Sequence, residues 1–408
     1  NGCRGSIKKA SLMVHAQNYP STGFTTLNNP TRPGPPLRGL RARPPSPSPY
    51  PCFTHQSRLS PQRGLDALPN FKCGGADILS MHRRVITYSR NAFLPLTTVC
   101  ANRCGYCCFR TPVREGCIMP PGEALRTMEV SAELGCTEAL FTFGERPGAV
   151  PGFTAMLKRI GYTDILDYVY DLSLAAIRLG LLPHTNAGIL SYQELDRLRG
   201  VNASMGLMLE TTAEVAAHRD SPGKDPGVRI EMIENAGKLS IPFTTGILVG
   251  IGETMEDREE SFQVIRDLHR RFGHIQEVIV QNFRPKPGTP MEGTPTPETS
   301  ELCATITLAR EILPSDVAVQ IPPNLADASH LIGCGVDDLG GVSPLTIDYV
   351  NPERPWPEIE ELKRVAGDAE LRERLCIYPQ YIEKGWYSPL LEPLIRQLAE
   401  RIRKVEPG

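Results

Sequence analysis

The sequence predicts an α/β fold, a parallel TIM-like barrel or part of one, between a disordered N-terminal segment and a helical C-terminal extension. From about Tyr88, short apolar or β-branched runs alternate with helical patterns, as in consecutive β/α units. Residues 1–85 are rich in Pro, Arg and Ser and lack hydrophobic periodicity, which predicts disorder. Residues 352–405 have a helical pattern. We place the barrel at residues 86–330 and the C-terminal extension, with a substrate loop, at residues 331–408.

The basic segment at the start of the chain has three explanations that its composition leaves open. Residues 1–80 carry ten Lys or Arg and two Asp or Glu, a net charge of +8, so the remainder carries −10. A plastid or mitochondrial transit peptide has this basic, Ser-rich and acid-poor composition. The alternatives are a nonspecific tail, or upstream sequence wrongly joined to a protein that starts at Met81. We expect a cytoplasmic protein, or an organellar one if the segment is a transit peptide.

Charge and cysteine content narrow the class of protein. The net charge of −2 gives no sign of a nucleic-acid or anionic-membrane partner. The sequence contains no run of 18 apolar residues, so we expect no transmembrane helix. The twelve cysteines are scattered except for four within residues 100–108, unlike the even spacing of a small secreted disulfide framework. We therefore expect a reducing compartment and a metal-binding role for the clustered cysteines.

Seven strand patterns and three clear helical patterns define the predicted barrel. The strands are expected at Ala92–Thr98, Ala139–Phe143, around Leu179–Pro183, Ala203–Leu209, Phe243–Val249, Glu277–Val280 and Val317–Gln320. The helices are expected at Gly122–Leu134, Asp225–Leu239 and Met255–Arg271.

The strongest chemical signal is the pattern CxxxCxxC formed by Cys100, Cys104 and Cys107. It directly follows the first predicted strand, where α/β barrels place their chemistry. Three thiolates at this spacing can hold one four-iron, four-sulfur cluster and leave the fourth iron without a protein ligand. S-adenosylmethionine (SAM) can fill that iron through its amino and carboxylate groups. The cluster can then donate the electron that cleaves SAM to a 5′-deoxyadenosyl radical.

A structural zinc site is the alternative interpretation of these cysteines. It requires Cys108 as a fourth ligand, yet adjacent cysteines rarely chelate one zinc ion together. No second CxxC pair follows in the sequence. Cys108 is better explained as a small packing residue, with a sensor role as the alternative.

Further candidates for SAM contact lie at predicted strand ends. Gly144 allows close approach of the backbone to a ligand, and Glu145 offers an acceptor for an amino group. Glu210 ends a mostly apolar run and can bind ribose hydroxyls, or it can cap the next helix. Arg229 can pair with a carboxylate, or lie solvated on its helix.

A glycine-rich segment follows the fifth predicted strand and includes Gly246, Gly250 and Glu253. It lacks the GxGxxG of a dinucleotide site and the Lys-Ser/Thr of a P-loop. Its glycines suit a flat adenine, or a turn that needs glycine conformations. His184 and Asn186, at the third strand, are candidate substrate contacts, although a structural histidine explains His184 equally well.

Together these motifs resemble the radical SAM subunit of deazaflavin (FO) synthase, the CofG type. The resemblance runs from about residue 88 to about 390. The blocks at 321–325 and 333–356 are not general radical SAM features. The matching blocks are 91–110, 140–147 (LFTFGERP), 183–191 (PHTNAGILS), 203–210 (ASMGLMLE), 243–254 (FTTGILVGIGET), 281–291 (QNFRPKPGTPM), 321–325 (IPPNL) and 333–356 (GCGVDDLGGVSPLTIDYVNPERPW).

The resemblance implies a radical SAM barrel and a specific reaction. A CofH-type partner subunit, separate or fused, makes an adduct of tyrosine and a ribityl-diaminouracil. The family enzyme abstracts a hydrogen from this adduct through the deoxyadenosyl radical, closes the rings and releases ammonia, as a carbon–nitrogen lyase. The product is 7,8-didemethyl-8-hydroxy-5-deazariboflavin (FO), the chromophore of coenzyme F420. A flavodoxin or ferredoxin is the expected electron donor.

The resemblance also implies roles for residues of this chain. Cys100, Cys104 and Cys107 carry over as cluster ligands. The implied SAM contacts are Tyr106, Gly144, Glu145, Glu210 and the segment 246–253. The glycine loop at 335–341 is similar to the family's C-terminal loop, and we expect Asp337 or Asp338 to bind polar groups of the substrate.

Two departures from the family pattern keep alternatives open. Cys108 stands where the family commonly has Thr or another small residue, and residues 1–80 have no family counterpart. The chain is either a free-standing subunit or the N-terminal half of a fused enzyme. Rival functions are a biotin-synthase-like or methylornithine-type radical SAM reaction, which the block at 333–356 disfavours, and a non-catalytic zinc protein.

Overall fold

The computed structural model describes residues 84–405. Most of the segment predicted to be disordered or targeting, residues 1–83, lies outside the described residues, and so does Met81. Only its last two positions, 84 and 85, lie within them. Within the described range, none of the helices combines the length and the apolar character needed to cross a membrane.

Nine parallel strands form the sheet within the described part of the chain, and eight of them form the predicted barrel. The strands are β1 (Val85–Pro95), β2 (Glu138–Thr142), β3 (Leu182–Asn186), β4 (Ser204–Gly206), β5 (Phe243–Val249), β6 (Ile275–Asn282), β7 (Ala318–Gln320), β8 (Asp338–Val342) and β9 (Glu370–Glu373). Each of the seven predicted strands overlaps one of these.

The barrel closes because β1 pairs along both of its edges. Asn91–Pro95 pair with β2, while Thr87, Ser89 and Arg90 pair with β8. The other strands follow in chain order from β2 to β8. All their carboxyl ends therefore meet at one mouth, where a barrel carries its active site.

The helices fall between the strands and after them. They are α1 (Pro121–Glu133), α2 (Phe153–Lys158), α3 (Ile165–Arg178), α4 (Tyr192–Arg199), α5 (Pro226–Lys238), α6 (Met255–Phe272), α7 (Thr299–Ile312), α8 (Ala328–Leu331), α9 (Ile359–Ala366), α10 (Pro379–Glu383) and α11 (Glu392–Val405). Reciprocal capping boxes start α4 at Ser191 and α6 at Thr254, because each cap residue exchanges hydrogen bonds with an acid three positions later.

The C-terminal region contributes more to the sheet than the sequence pattern predicts. β8 lies between β7 and β1, so the barrel continues past residue 330, where we placed its end. Glu370–Glu373 form β9 inside the region predicted to be helical. This charged segment has no strand pattern of its own. It becomes a strand because the start of β1, before its pairing with β2, leaves an edge free.

A network of buried charges lies at the amino-terminal end of the barrel, and we call it the base network. Arg374 directly follows β9 and donates to Asp338 Oδ2 from Nε and to Glu277 Oε2 from Nη2, each over 2.6 Å. All three residues are buried. Glu138 lies near them, and its burial raises the pKa of its carboxyl to about 7. The C-terminal extension thus supplies the guanidinium group that pairs with the buried acids at the base of the barrel.

Cys303 on α7 and Cys334 form a disulfide, with their Cα atoms 5.4 Å apart. This finding differs from the reducing compartment that the cysteine pattern favoured, because disulfides are rare in reducing compartments. The three cysteines of the motif carry free thiols.

Candidate active site at the carboxyl ends of the strands

The segment that carries the clustered cysteines, residues 100–108, lies over the mouth of the barrel, and we call it the cysteine loop. After β1, the chain continues beside the chain that follows β2. Gly144 N donates to Thr97 O over 3.0 Å, and Ala101 N donates to Glu145 O over 2.9 Å. These bonds fix Cys100 next to Glu145, at the carboxyl ends of the first two strands.

Two of the cysteine sulfurs accept hydrogen bonds from other groups of the protein. Cys100 Sγ accepts from Glu145 N at 3.2 Å, and Cys104 Sγ accepts from Ser221 Oγ at 3.4 Å. Burial raises the pKa of the Cys100 thiol to about 11 and also raises that of Cys107. Hydrogen bonds to sulfur stabilise thiolates bound to iron and tune the potential of a cluster. The donor set therefore fits an iron–sulfur cluster.

A single-ion site is the alternative use of these cysteines. Among residues 84–405, no group of three or more His, Cys, Asp or Glu side chains is arranged to hold one metal ion. A zinc ion needs its ligand sulfurs within about 2.3 Å of one point, whereas a four-iron cluster binds each thiolate at a different iron. The exposed Cys108 instead donates weakly to Val350 O, at 3.5 Å.

Gly144 permits the close approach between the cysteine loop and the end of β2. A Cβ atom at this position would lie 2.0 Å from Val99 O and 2.8 Å from Cys100 Cβ. Backbone atoms cannot yield to such an overlap as a flexible side chain does. The role of Gly144 in the structure is therefore to hold the cysteine loop, and its predicted contact with SAM stays a prediction.

We expect Gly144→Ala to displace the cysteine loop and to lower the iron content of the reconstituted protein. Overpacking at a tight contact costs about 1–3 kcal/mol, and here the strain falls on Cys100 itself. Gly148→Ala is the matched control, because no atom lies within 4 Å of a Cβ added there. Iron and sulfide analysis after anaerobic reconstitution measures the effect. Equal cluster content in the two variants would contradict this role.

Glu145 lies at the centre of a buried polar cluster beside the cysteine loop. Asn102 Nδ2 donates to Glu145 Oε1 over 2.9 Å, and Arg229 Nη1 donates to Oε2 over 3.1 Å. Arg229 is only 2% exposed, so it is not the solvated helix arginine that the sequence allowed. It pairs with a carboxylate, as the other interpretation predicted. Its Nη1 also donates to Gly223 O, at 2.7 Å.

Glu210 lies deeper in the same wall, just after β4. Its carboxylate pairs with Lys224 and caps no helix, which excludes the capping interpretation. Burial alone would raise the pKa of Glu210, but the charges of Lys224 and Arg229 lower it below its ordinary value. An ionised carboxylate can accept from ribose hydroxyls, and this role of Glu210 stays a prediction.

Tyr106 and a small apolar cluster form the remaining wall. The Tyr106 hydroxyl hydrogen-bonds with His218 Nε2 over 3.1 Å, and the ring packs against this cluster. The cluster offers the apolar surface that a flat adenine requires. Its buried members are Val215, Ala217, Leu248, Ile251 and Phe283.

The glycine-rich segment after β5 forms a turn that is closed by its own acid, Glu253. Glu253 accepts from Gly250 N at 2.7 Å, and from Ile251 N at 2.8 Å, and it also pairs with Arg258. Its carboxylate therefore closes its own turn, and its contact with the cofactor stays a prediction. Gly246 lies inside β5, paired with Ile279, where it packs within the barrel wall.

The block at 333–356 has residues at both ends of the barrel. Asp338 is fully buried in the base network, and Asp337 pairs with Arg310 over 2.8 Å. Both lie at the start of β8, opposite the mouth, and their contact with polar groups of the substrate stays a prediction. The following chain returns to the mouth, where Glu353 pairs with Lys286.

His184 and Asn186 lie on β3, on the face that it shares with Leu140 and Thr142 of β2. His184 is buried in the barrel, and Asn186 is partly exposed near the mouth. Sequence reasoning missed Asn102, Ser221 and Lys224, which support the cysteine loop and Glu210. The last two lie in the motif Ser-Pro-Gly-Lys before α5, a turn signal that could have indicated them.

Comparisons with known proteins show the family of the chain. Residues 94–265 match the radical SAM superfamily. The chain is 83% identical over 322 residues to the 7,8-didemethyl-8-hydroxy-5-deazariboflavin synthase of Methanoculleus marisnigri, covering 79% of this chain and 97% of that protein. It is 64% identical over 324 residues to the synthase of the same name from Methanosphaerula palustris, covering 79% and 99%.

A solved structure supports the fold alone. The FeFe-hydrogenase maturase HydG from Carboxydothermus hydrogenoformans superposes with a TM-score of 0.55 at 19% identity. The superposition covers 78% of this chain and 82% of that one.

Proposed function

Because this chain belongs to the 7,8-didemethyl-8-hydroxy-5-deazariboflavin synthase family of radical SAM enzymes, we propose that it closes the deazaflavin ring system of FO. Its substrate in this proposal is 5-amino-5-(4-hydroxybenzyl)-6-(ribitylimino)-dihydrouracil, the tyrosine-derived adduct. Ring closure releases ammonia, which makes the reaction a lyase reaction. A CofH-type subunit supplies the adduct, and flavodoxin or ferredoxin supplies the electron.

The observation that carries the proposal is the cysteine loop held over the mouth of a closed barrel. In our proposal Cys100, Cys104 and Cys107 bind the four-iron cluster and leave one iron for SAM. The bound cluster and SAM supply the deoxyadenosyl radical for hydrogen abstraction. The hydrogen bonds from Glu145 N and Ser221 Oγ orient two of the sulfurs.

The surrounding residues of this chain then hold SAM. Glu145 and Arg229 form a paired, buried acceptor and donor beside Cys100, which suits the amino and carboxylate groups of an amino acid. Glu210 accepts from the ribose, and Tyr106 of the cysteine loop hydrogen-bonds with His218 beside it. The apolar cluster around Leu248 excludes water from the adenine. Each of these assignments follows from position, burial and hydrogen-bonding type.

The test is an anaerobic assay of the reconstituted protein with SAM, dithionite and the adduct. We expect FO, detected by its fluorescence, together with 5′-deoxyadenosine and ammonia. SAM cleavage without FO would overturn the assignment and favour another radical SAM reaction. A colourless protein with one zinc ion and no SAM cleavage would favour the non-catalytic alternative.

A further inference from the structure

The interior of the barrel contains space between the mouth and the base network. Leu140 of β2, and Ile279 and Gln281 of β6, are partly exposed, whereas the residues that alternate with them are buried. Successive side chains of a strand point to opposite faces. The buried set packs outward under the helices, so the partly exposed set faces into the barrel. We call this interior space the chamber.

Three uncharged polar side chains belong to the strands at the floor of the chamber. Asn91 pairs in register with Glu138, and His184 pairs with both Leu140 and Ser204. Gln320 pairs with both Ile279 and Asp338. Each therefore shares the inward face of its neighbours, and Asn91 and Gln320 are in register with two acids at the base, Glu138 and Asp338.

Asn91 carries an unexplained polar atom. The residue is 2% exposed, and its Oδ1 is buried without a hydrogen-bond partner. A buried acceptor left unpaired loses its hydrogen bond to water without gaining another. A donor from a ligand in the chamber would satisfy this atom.

His184 presents an acceptor to the same space. Ser204 Oγ donates to Cys376 O over 2.7 Å, so it accepts from His184 Nδ1, also over 2.7 Å. Nδ1 then carries the proton, and Nε2 has a free lone pair. Burial, with a contribution from Arg374, lowers the pKa of His184 to about 3, which keeps the ring neutral.

Glycines face two of these side chains and leave them room. A Cβ at Gly206 would lie 3.1 Å from His184 Nε2, and one at Gly340 would lie 2.3 Å from Gln320 Nε2. The two polar ends therefore lie along the inner wall of the barrel.

We propose that Asn91, His184 and Gln320 form the binding site for the pyrimidinedione and ribityl half of the deazaflavin and of its precursor. This inference rests on the proposed function, because the pyrimidinedione and the ribityl chain are parts of the proposed deazaflavin product. Side-chain amides offer the paired donor and acceptor that a pyrimidinedione edge requires, and a neutral imidazole accepts from an N–H or a hydroxyl. No charge is needed for a neutral ligand. The phenolic half then extends toward the cysteine loop.

The experiment titrates FO itself into the reconstituted holoenzyme and follows its fluorescence. We expect Asn91→Leu to weaken FO binding about 10-fold or more, because loss of a buried hydrogen bond costs roughly 1–3 kcal/mol. Cluster absorbance and SAM affinity should stay unchanged. Gln320→Leu repeats the test at a second position, so that a folding defect in one variant does not decide it.

Thr245→Val is the matched control. Thr245 is also fully buried with an unpaired hydroxyl oxygen, but it follows Thr244, whose hydroxyl donates to Glu277 on the inner face. Thr245 therefore faces the helices, and its variant should bind FO like the wild type. If the wild type makes FO and both Leu variants bind FO as tightly as the wild type does, the inference is overturned and the proposed function is not. Failure of the wild type to make FO would overturn the proposed function instead.

Discussion

Replacing Cys107 with alanine should abolish FO formation and remove most of the iron from the reconstituted protein. In our account three thiolates hold three of four irons, so losing one leaves a second iron without a protein ligand. Cys107 lies in the turn that its own N–H closes on Cys104 O over 3.2 Å. Iron analysis, the visible spectrum and FO fluorescence measure the loss.

Cys108→Ala is the control for that variant, because it removes the adjacent thiol. Cys108 is exposed, and its sulfur contacts only the Val350 carbonyl among the hydrogen-bond partners described. We expect wild-type iron content and nearly wild-type FO formation. An iron loss equal to that of Cys107→Ala would refute the three-cysteine ligand set and return Cys108 to consideration as a metal ligand.

Replacing Arg374 with methionine should destabilise the protein by about 3–5 kcal/mol, the usual cost of breaking a buried ion pair. Arg374 is the cation of the base network, and its loss leaves the buried Asp338 and Glu277 without their counter-charge. Burial raises the pKa of Glu277 even beside Arg374, so the variant should take up a proton there. Anaerobic thermal unfolding followed by circular dichroism measures the change.

Arg372→Met tests whether the effect comes from burial. Arg372 lies on the same strand, β9, but its side chain is 43% exposed and pairs with a similarly exposed Glu370. Exposed ion pairs contribute about 0–1 kcal/mol, so we expect a small shift in the unfolding midpoint. Equal destabilisation by both substitutions would show that β9 pairing, and not the buried charge, holds the base of the barrel.

The parts of the fold that depend on local sequence were predictable. Phe243–Val249 is a run of apolar and β-branched residues with one glycine, and β5 has the same bounds. The cysteine motif follows a strand in both the sequence pattern and the structure, and its position at the mouth follows from parallel topology. The relatives confirm the family that the motif blocks indicated.

Features that depend on long-range pairing were not predictable. Asp337 and Asp338 sit in a glycine-rich block that suggests a ligand loop, yet β8 begins there and carries both to the base. Nothing local marks Arg374 as the partner of Asp338, since 36 residues separate them and a solvated arginine has the same sequence signature. Likewise, the sequence alone marks Glu253 as a candidate ligand contact and does not reveal the turn that it closes.

The most direct test of the central claim is the electron paramagnetic resonance spectrum of the dithionite-reduced protein with and without SAM. The account predicts the signal of one reduced four-iron cluster, with g-values that shift when SAM occupies the open iron. Cys107→Ala should lack this signal, and Cys108→Ala should retain it and its shift. A four-iron signal that SAM leaves unchanged, or no cluster signal from the wild type, would contradict the account.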